Sequence, residues 1–493
     1  MFRYAFIITK IRMTISKKVY IIINCFFLIT IGCKSITKIS QNVTLKAQKA
    51  DYFADNGFGN AVAIVQHPSG VFHNGITYVC YQGPLEDPYV ASYNHTTKEW
   101  KGPFKAGISQ MGKDPNRKKK IDNHGKPALL IDDEGYIHIA FGGHGGTHED
   151  GENPLGNHHY GKNLHAVSKK PLDISSWETL DNISLFGTYS QFVKMDNGDI
   201  YLFYRHGAHR SDWVYQKSVD NGVSFNKPVS FLKHKRRTEI EAEDSWYPWV
   251  SKGNGDDIIV AFDYHICRDN KNAQDARGHI PERHNVYYMV FDTKTGDWKN
   301  VKDERLKMPL TKEMADEKTL ITSTDLDWTF QGVTDVDPKG NPQVIMLVGP
   351  DIGEKRSGPK RLQHFRWNSQ AWIKSKNSDL PRGNGDLEVK SAKEVSIYLE
   401  SDTNGDVGEI SRWDSFNGGE SFNKRTVFLR RKNSSFVISS LIDNPHPDAR
   451  IIVGEKEEGS DYRKMYLLGD SGPIKRNKNK TIFEKPTINK FNN

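Results

Sequence analysis

Cysteine is scarce in this chain. Four occur among 493 residues, and two of them, Cys25 and Cys33, fall within the first 33. Cys80 and Cys267 remain. They form one available pair whose spacing does not ask for a bond, so a disulfide framework is excluded as the source of stability. A long apolar run is also missing. The best stretch, VYIIINCFFLITIG at 19–32, is shorter than the roughly 20 residues a membrane-spanning helix needs. Nor is there a marked excess of one charge. The formal +8 includes Arg3, Lys10, Arg12, Lys17 and Lys18, and without the first 33 residues it falls to +3. Such a balance supports no field for nucleic acid or any other polyanion, so a preference for acidic ligands has to come from a local patch. No amphipathic helical period and no linker interrupts the body of the chain, which reads as a single domain over 50–493.

Lys17-Lys18 followed by the apolar run makes a signal peptide over 1–33. Its Gly32-Cys33 ending resembles a bacterial lipoprotein signal, with Cys33 as the residue to be lipidated, although Thr30 stands where leucine is commoner. The signal is complete without the first 12 residues, so Met13 is a second candidate start. The expectation is an exported protein, secreted or held at the outer membrane or cell surface of a bacterium. A short linker over 34–49 follows, the membrane is met only through a lipid at Cys33, and the chain acts as a monomer.

What the chain has in quantity is aromatics, 10 Trp, 20 Tyr and 24 Phe, which favour strands. It also has a repeat. A Gly-containing turn followed by an alternating apolar strand occurs as HNGITYVCYQG, DDEGYIHIAFGG, DNGDIYLFYRHG, GNGDDIIVAFDYH, DPKGNPQVIMLVG, DTNGDVGEISRW and, more loosely, NPHPDARIIVGEK. Copies mostly recur about every 60 residues, a period that means a β-propeller or a related array. Seven copies predict an all-β, seven-bladed β-propeller. SVDNGVSF at 218–225 has the Ser-x-Asp-x-Gly-x-x-Phe form of an Asp-box turn, with SFNGGESF at 415–422 as an Asn variant. These report architecture rather than activity.

Within such hairpins, residues equidistant from the turn become neighbours. His124 and His144 are centred on the Asp132–Gly135 turn, and Tyr189 and Arg205 on Asn197. Trp246 and Tyr247 fall at the corresponding end of the next hairpin. Three successive blades thus bring these residues toward one rim. Arginine grips a carboxylate or sulfate in bidentate fashion, histidine exchanges a proton near neutral pH, and tyrosine can give or take one. Lytic cleavage of a uronic-acid polymer needs such a set. The carboxylate is neutralised, a base takes the C5 proton, and an acid protonates the departing O4.

The motifs NHGKP (123–127), FGGHG (141–145), GTYSQF (187–192), FYRHG (203–207) and DSWYPWV (244–250) resemble the seven-bladed propeller ulvan lyases, polysaccharide lyase families 24 and 25. The resemblance implies β-elimination of ulvan, a sulfated rhamnose–uronic acid polymer, with an unsaturated uronate at the new non-reducing end. It also implies roles. His124 and Tyr189 form the proton-transfer pair in either order, Arg205 neutralises the carboxylate, His144 assists, and Tyr247 holds the sugar. Trp246, His209 and Asn123 are further substrate-contact candidates, with Arg210 a candidate for a sulfate.

A second cluster lies in DYHICRDNKNAQDARGHIPERHN at 263–285, read as one long polar loop. His265, Cys267, His279 and His284 offer donors that suit zinc, and the resemblance allows one structural zinc ion, with His265, Cys267 and His279 the best ligands. The other reading is a polar insertion with an incidental thiol. No catalytic cofactor is expected. His158, His159 and His165, in the polar stretch after His144, read as solvated surface. Two other functions share this architecture. A sialidase-like glycoside hydrolase needs three arginines on one carboxylate and a Tyr–Glu pair, where only Arg205 stands at an equivalent hairpin end. A non-catalytic carbohydrate-binding propeller accounts for Trp246 and Tyr247 but not for the paired histidines.

Overall fold

The computed structural model describes residues 49–113, 121–269, 279–350, 361–376, 380–381, 383–403 and 407–477. The signal peptide, Cys33, and all of the expected linker except Lys49 lie outside them. Lys49 is already structured, since Lys49–Ala50 pairs antiparallel with Arg476 and Asn477. Among the described residues no helix is long and apolar enough to cross a membrane. Cys80 and Cys267 are both buried and free.

The fold is all-β, in a propeller arrangement. Most sheets are meanders of consecutive antiparallel strands. Ala128–Ile131, Ile137–Phe141, Leu164–Ser168 and Trp177–Leu180 make one, and Thr188–Lys194, Ile200–Arg205, Trp213–Ser218 and Val229–Leu232 the next. A nine-stranded sheet joins the two ends of the chain. In it Ala54–Phe58 pairs with Tyr462–Gly469, and Phe436–His446 meets Gly70–His73 through one parallel pair, Asp443 with Val71. The repeated apolar strands are interior strands of their sheets. Ile137–Phe141 and Pro342–Gly349 are buried along their whole length, because sheets pack on both of their faces.

Both Asp-box turns close in the same way. Ser218 Oγ donates to Asp220 Oδ1 (2.7 Å) and accepts from the Gly222 N–H (2.9 Å), and Ser415 Oγ does the same with Asn417 Oδ1 (2.8 Å) and Gly419 N–H (2.8 Å). The glycine is required in each. Its φ is +75° or +87°, and a Cβ there would meet the buried ring of His138 or His364.

Two expectations need correction. Residues 263–285 are not one loop. Asp257–Asp269 and His279–Asp292 are long paired strands, with Cys267 opposite Pro281 and His265 opposite Arg283. Every other residue of DYHICRD points to the same face, so a strand was available behind the polar composition. Tyr189 is also not opposite Arg205. Thr188 takes that place, and the register shifts by one before Gln191. Tyr189 sits in this bulge with φ +62°, a left-handed conformation that costs a bulky residue on the order of 1–3 kcal/mol and tends to persist at functional sites.

A cavity of about 560 Å³ lies toward the far ends of the same inner strands, lined by Val193, Lys194, Trp249, Asp335, Asp386 and Asp443 among others. It does not reach His124 or Tyr189. Asp386 is 4 % exposed and accepts the Leu387 and Leu441 N–H groups. Burial, reinforced by Asp335, nevertheless raises its carboxyl to about 7. A carboxyl raised on folding stays protonated where the unfolded chain has ionised, so its contribution is present below about pH 4 and is lost as pH rises toward 7. The melting temperature of Asp386→Asn should therefore fall less between those pH values than that of the parent; equal slopes would refute this.

Candidate active site

The segment Asp122–Lys126 leads into the Ala128–Ile131 strand and is tied down on both sides. Glu86 Oε1 accepts the Asp122 N–H (2.6 Å), Gln66 Nε2 donates to the His124 carbonyl (2.9 Å), and Lys126 Nζ donates to the Asn123 carbonyl. Asn123 takes φ +63°, and its Oδ1 accepts from the Asn60 N–H (2.9 Å) and Gln82 Nε2 (3.4 Å). Asn123 is thus a support of the loop, the role its hydrogen bonds define.

The hairpin brings His124 and His144 together with ring centroids 3.8 Å apart and planes at 16°. Asp122 joins them. Its Oδ1 takes His124 Nδ1 and its Oδ2 takes His144 Nδ1 at 3.1 Å. Burial alone would raise the Asp122 carboxyl, but the two imidazoles outweigh it and hold the group far below the usual carboxylate range. A carboxylate at both Nδ1 atoms makes these the N–H ends and leaves each lone pair on Nε2. His144 is 4 % exposed, and burial followed by the neighbouring His124 keeps it neutral. His159 covers it, with centroids 4.0 Å apart.

Tyr189 lies 5.4 Å from the His124 ring, 5.6 Å from Tyr247, and parallel to Trp213 at 6.2 Å. Burial first, then Tyr247, pushes its phenol well above the ordinary tyrosine range, against the opposing pull of Arg205. Arg205 is completely buried. It lies behind the two tyrosines, 4.9 Å from the Tyr189 centroid and 5.5 Å from that of Tyr247. Its Nη1 donates to Tyr247 Oη (3.2 Å) and its Nε to the Gly207 carbonyl (3.2 Å), while Nη2 has no protein partner among the described residues. It makes no ion pair with a described carboxylate. The rim position expected from the hairpin is thus a recessed one.

Tyr247 has a second guanidinium near it. Arg283 lies 4.0 Å from its ring centroid and is locked bidentately to the buried Asp263 (2.9 and 3.0 Å). Trp246, expected to meet substrate, faces the opposite way, as strand alternation requires. It is fully buried against Phe262, Tyr264 and Tyr287, with Nε1 bonded to the Lys233 carbonyl (2.8 Å), so it is a core residue. Arg210 is paired with Asp269 (2.7 Å), which Arg236 also grips. His165 is not solvated surface but fully buried, bonded to His138 (2.9 Å) and Asn182 (2.8 Å). His159 is exposed beside His144.

Three sets of donors come within 4.8 Å of one another among the described residues. They are Asp122, His124 and His144, then His209, His265 and Cys267, then His95, His446 and Asp448. The second set changes the expected ligands. His209, read as a substrate contact, stands with His265 and Cys267, while the side chain of His279 lies outside the described residues. Cys267 Sγ is 3.6 Å from His265 Nε2, and burial pushes its thiol up to about 12. Two imidazoles and one sulfur match the soft-to-borderline donors that zinc takes, with one further position to fill.

Residues 154–380 match the model of a BNR repeat-containing family. An ulvan lyase of Nonlabens ulvanivorans is 79% identical over 462 residues, covering 94% of this chain and 98% of the relative. The chain belongs to the ulvan lyase family. An ulvan lyase of Alteromonas sp. (strain LOR) is 53% identical, over 90% of this chain and 92% of its own length. A solved ulvan lyase of polysaccharide lyase family 25, bound to -[GlcA(1-4)Rha3S]-, superposes with a TM-score of 0.83 at 54% identity, covering 87% of this chain and 98% of that one. Within this ulvan lyase family member, Asp122, Arg283 and Asp263 went unread in the sequence. Asp122 had a signal, since an acid two residues before His124 can reach the same ring. Arg283 had none, because its hairpin centre falls in a segment without turn residues in a recognisable order.

Proposed function

We propose that this chain depolymerises ulvan by β-elimination at the uronic acid, and that it does so on a seven-bladed propeller. Dividing the nine-stranded sheet at its single parallel pair, which yields two meanders beside the others, supports that count. The observation that carries the reaction is the buried Arg205. A guanidinium out of water with no carboxylate partner is costly by several kcal/mol, and an entering uronate carboxylate relieves that cost when the Tyr189 and Tyr247 rings part. With the carboxylate neutralised, the C5 proton becomes acidic. His124 Nε2 takes it, the C4–O4 bond breaks with its electrons on O4, and the Tyr189 phenol gives O4 its proton. A C4–C5 double bond remains. This order follows from the lone pair on His124 Nε2 and from the raised phenol, which keeps its proton at rest. His144 shares Asp122 with His124 and so fixes the tautomer of the pair, and Tyr247 holds the sugar.

The His209, His265 and Cys267 set suits a structural zinc ion, which would tie the 207–210 turn to the long hairpin. Chelation should lower the melting temperature while assays well below melting retain most activity. An unchanged melting curve in metal-free protein would refute that role. Export is part of the same reading, because the basic residues and apolar run at 17–32 form a signal and the substrate is a cell-wall-sized polymer. A lipid at Cys33 is its finer form, tested by labelling with a radioactive fatty acid.

The test of the activity is ultraviolet absorbance of ulvan incubated with residues 34–493. A rise reports the unsaturated uronate. Reducing ends without absorbance would mean a hydrolase, and retained binding with neither would mean a lectin.

A further inference from the structure

Far from the histidine pair, at the seam where the first and last meanders meet, a second pair of imidazoles is stacked. His95 follows the Pro88–Asn94 strand, and His446 ends the Phe436–His446 strand. Their ring centroids are 3.8 Å apart with planes inclined at 32°. Asp448 completes the group, with ligand atoms of all three within 4.8 Å. Phe72 and Tyr93 wall it, 5.6 and 5.1 Å from the His95 ring.

His95 is 8 % exposed. Its Nε2 is 2.8 Å from Thr77 Oγ1, while its Nδ1 is buried without a protein partner among the described residues. A buried ring nitrogen left unpaired is costly unless something meets it. If Nε2–H donates to Thr77 Oγ1, Nδ1 is left as the ring's lone-pair donor beside His446 and Asp448. An imidazole fixed through one nitrogen and open at the other is how metal-bound histidines are oriented. His446 Nδ1 now accepts the Asp448 N–H at 3.1 Å, a weak contact that an ion can displace. The Asp448 carboxylate is steadied by Ser471 Oγ (3.2 Å) and supplies the anionic donor.

We propose that His95, His446 and Asp448 form a binding site for a divalent transition ion, zinc foremost, separate from the His209, His265 and Cys267 set. Two imidazoles, one carboxylate and a water make a four-coordinate site. Ligand atoms at bonds of ~2.0–2.1 Å stand roughly 3.4 Å apart, which small rotations of the two partly exposed side chains achieve. The ion bridges the first meander to the last one at the place where one parallel pair, Asp443 with Val71, otherwise joins them. It would therefore act on closure of the ring and not on the chemistry at the other rim.

The test is cobalt(II) titration of the full-length mature chain after chelation, followed by its d–d absorption. The parent should show two binding events, only one of them carrying a thiolate-to-cobalt charge-transfer band. Cys267→Ser should lose that band and keep the other event. His446→Ala and, independently, Asp448→Asn should lose the event without the band and keep the thiolate one, and zinc should cease to raise their melting temperature at that stoichiometry. Both altered residues are partly exposed at a turn, and retained thiolate binding shows that the variants fold. Unchanged cobalt stoichiometry in both variants overturns the proposal, whether the extra ion then lies nowhere or at Asp122, His124 and His144.

Discussion

His124→Ala is expected to lower kcat on ulvan by about 100- to 10,000-fold, the range that removal of a positioned general base commonly costs, and to lower the melting temperature, because the buried Asp122 keeps only His144 as an imidazole partner. The ring is partly exposed and its side chain adds little to the core. What it loses is specific, namely an Nε2 lone pair that Asp122 orients by accepting the Nδ1–H hydrogen bond. His144 cannot replace it. It is nearly inaccessible and held neutral by burial, so it reaches no substrate proton without rearrangement. Initial rates from ultraviolet absorbance, with binding measured separately, decide the matter. A variant that turns over ulvan within a few-fold of the parent would remove His124 from the reaction.

Arg205→Ala is expected to be of similar severity, about 100- to 1,000-fold in kcat by analogy with losing a preorganised donor at a developing charge. Two effects compete in the measurement. Truncating a buried guanidinium also leaves a void and removes a donor to the Tyr247 hydroxyl, which costs stability. Arg205→Lys separates them. Lysine keeps a charge and much of the volume but not the planar fork, so it should preserve the fold and recover only part of the rate. If Arg205→Lys were as active as the parent, charge alone would suffice and bidentate neutralisation would be wrong. If Arg205→Ala were active and folded, the carboxylate must be met elsewhere, with Arg283 as the remaining guanidinium beside Tyr247.

The propeller and the pairing of His124 with His144 were legible because a two-residue period and a Gly-containing turn determine both faces and neighbours of a hairpin. The same rule misjudged Tyr189 by one residue. A bulge is invisible to symmetric counting, and the left-handed φ at Tyr189 is not one that tyrosine advertises. Trp246 was misread for a related reason. Adjacent aromatics on a strand cannot share a face, and the sequence does not say which of the two is inward. The third member of the His265 and Cys267 set came from another strand's turn at His209, a contact across blades that no local spacing encodes. Burial of Arg205 behind two rings was likewise outside the reach of composition, because arginine is usually exposed.

The strand Ala54–Phe58 pairs with Tyr462–Gly469, some four hundred positions further along. Such a ring cannot be completed as the chain emerges from the ribosome. Its first strand must wait, edge unpaired, until nearly the last one is made. Closing so large a loop adds little equilibrium cost, since the entropy grows only with the logarithm of length, but it places the decisive contact late and slows folding. A waiting edge is a liability for aggregation, and under the export proposed above it would keep the chain unfolded until it had crossed. A version cut and rejoined so that these strands became consecutive should fold sooner.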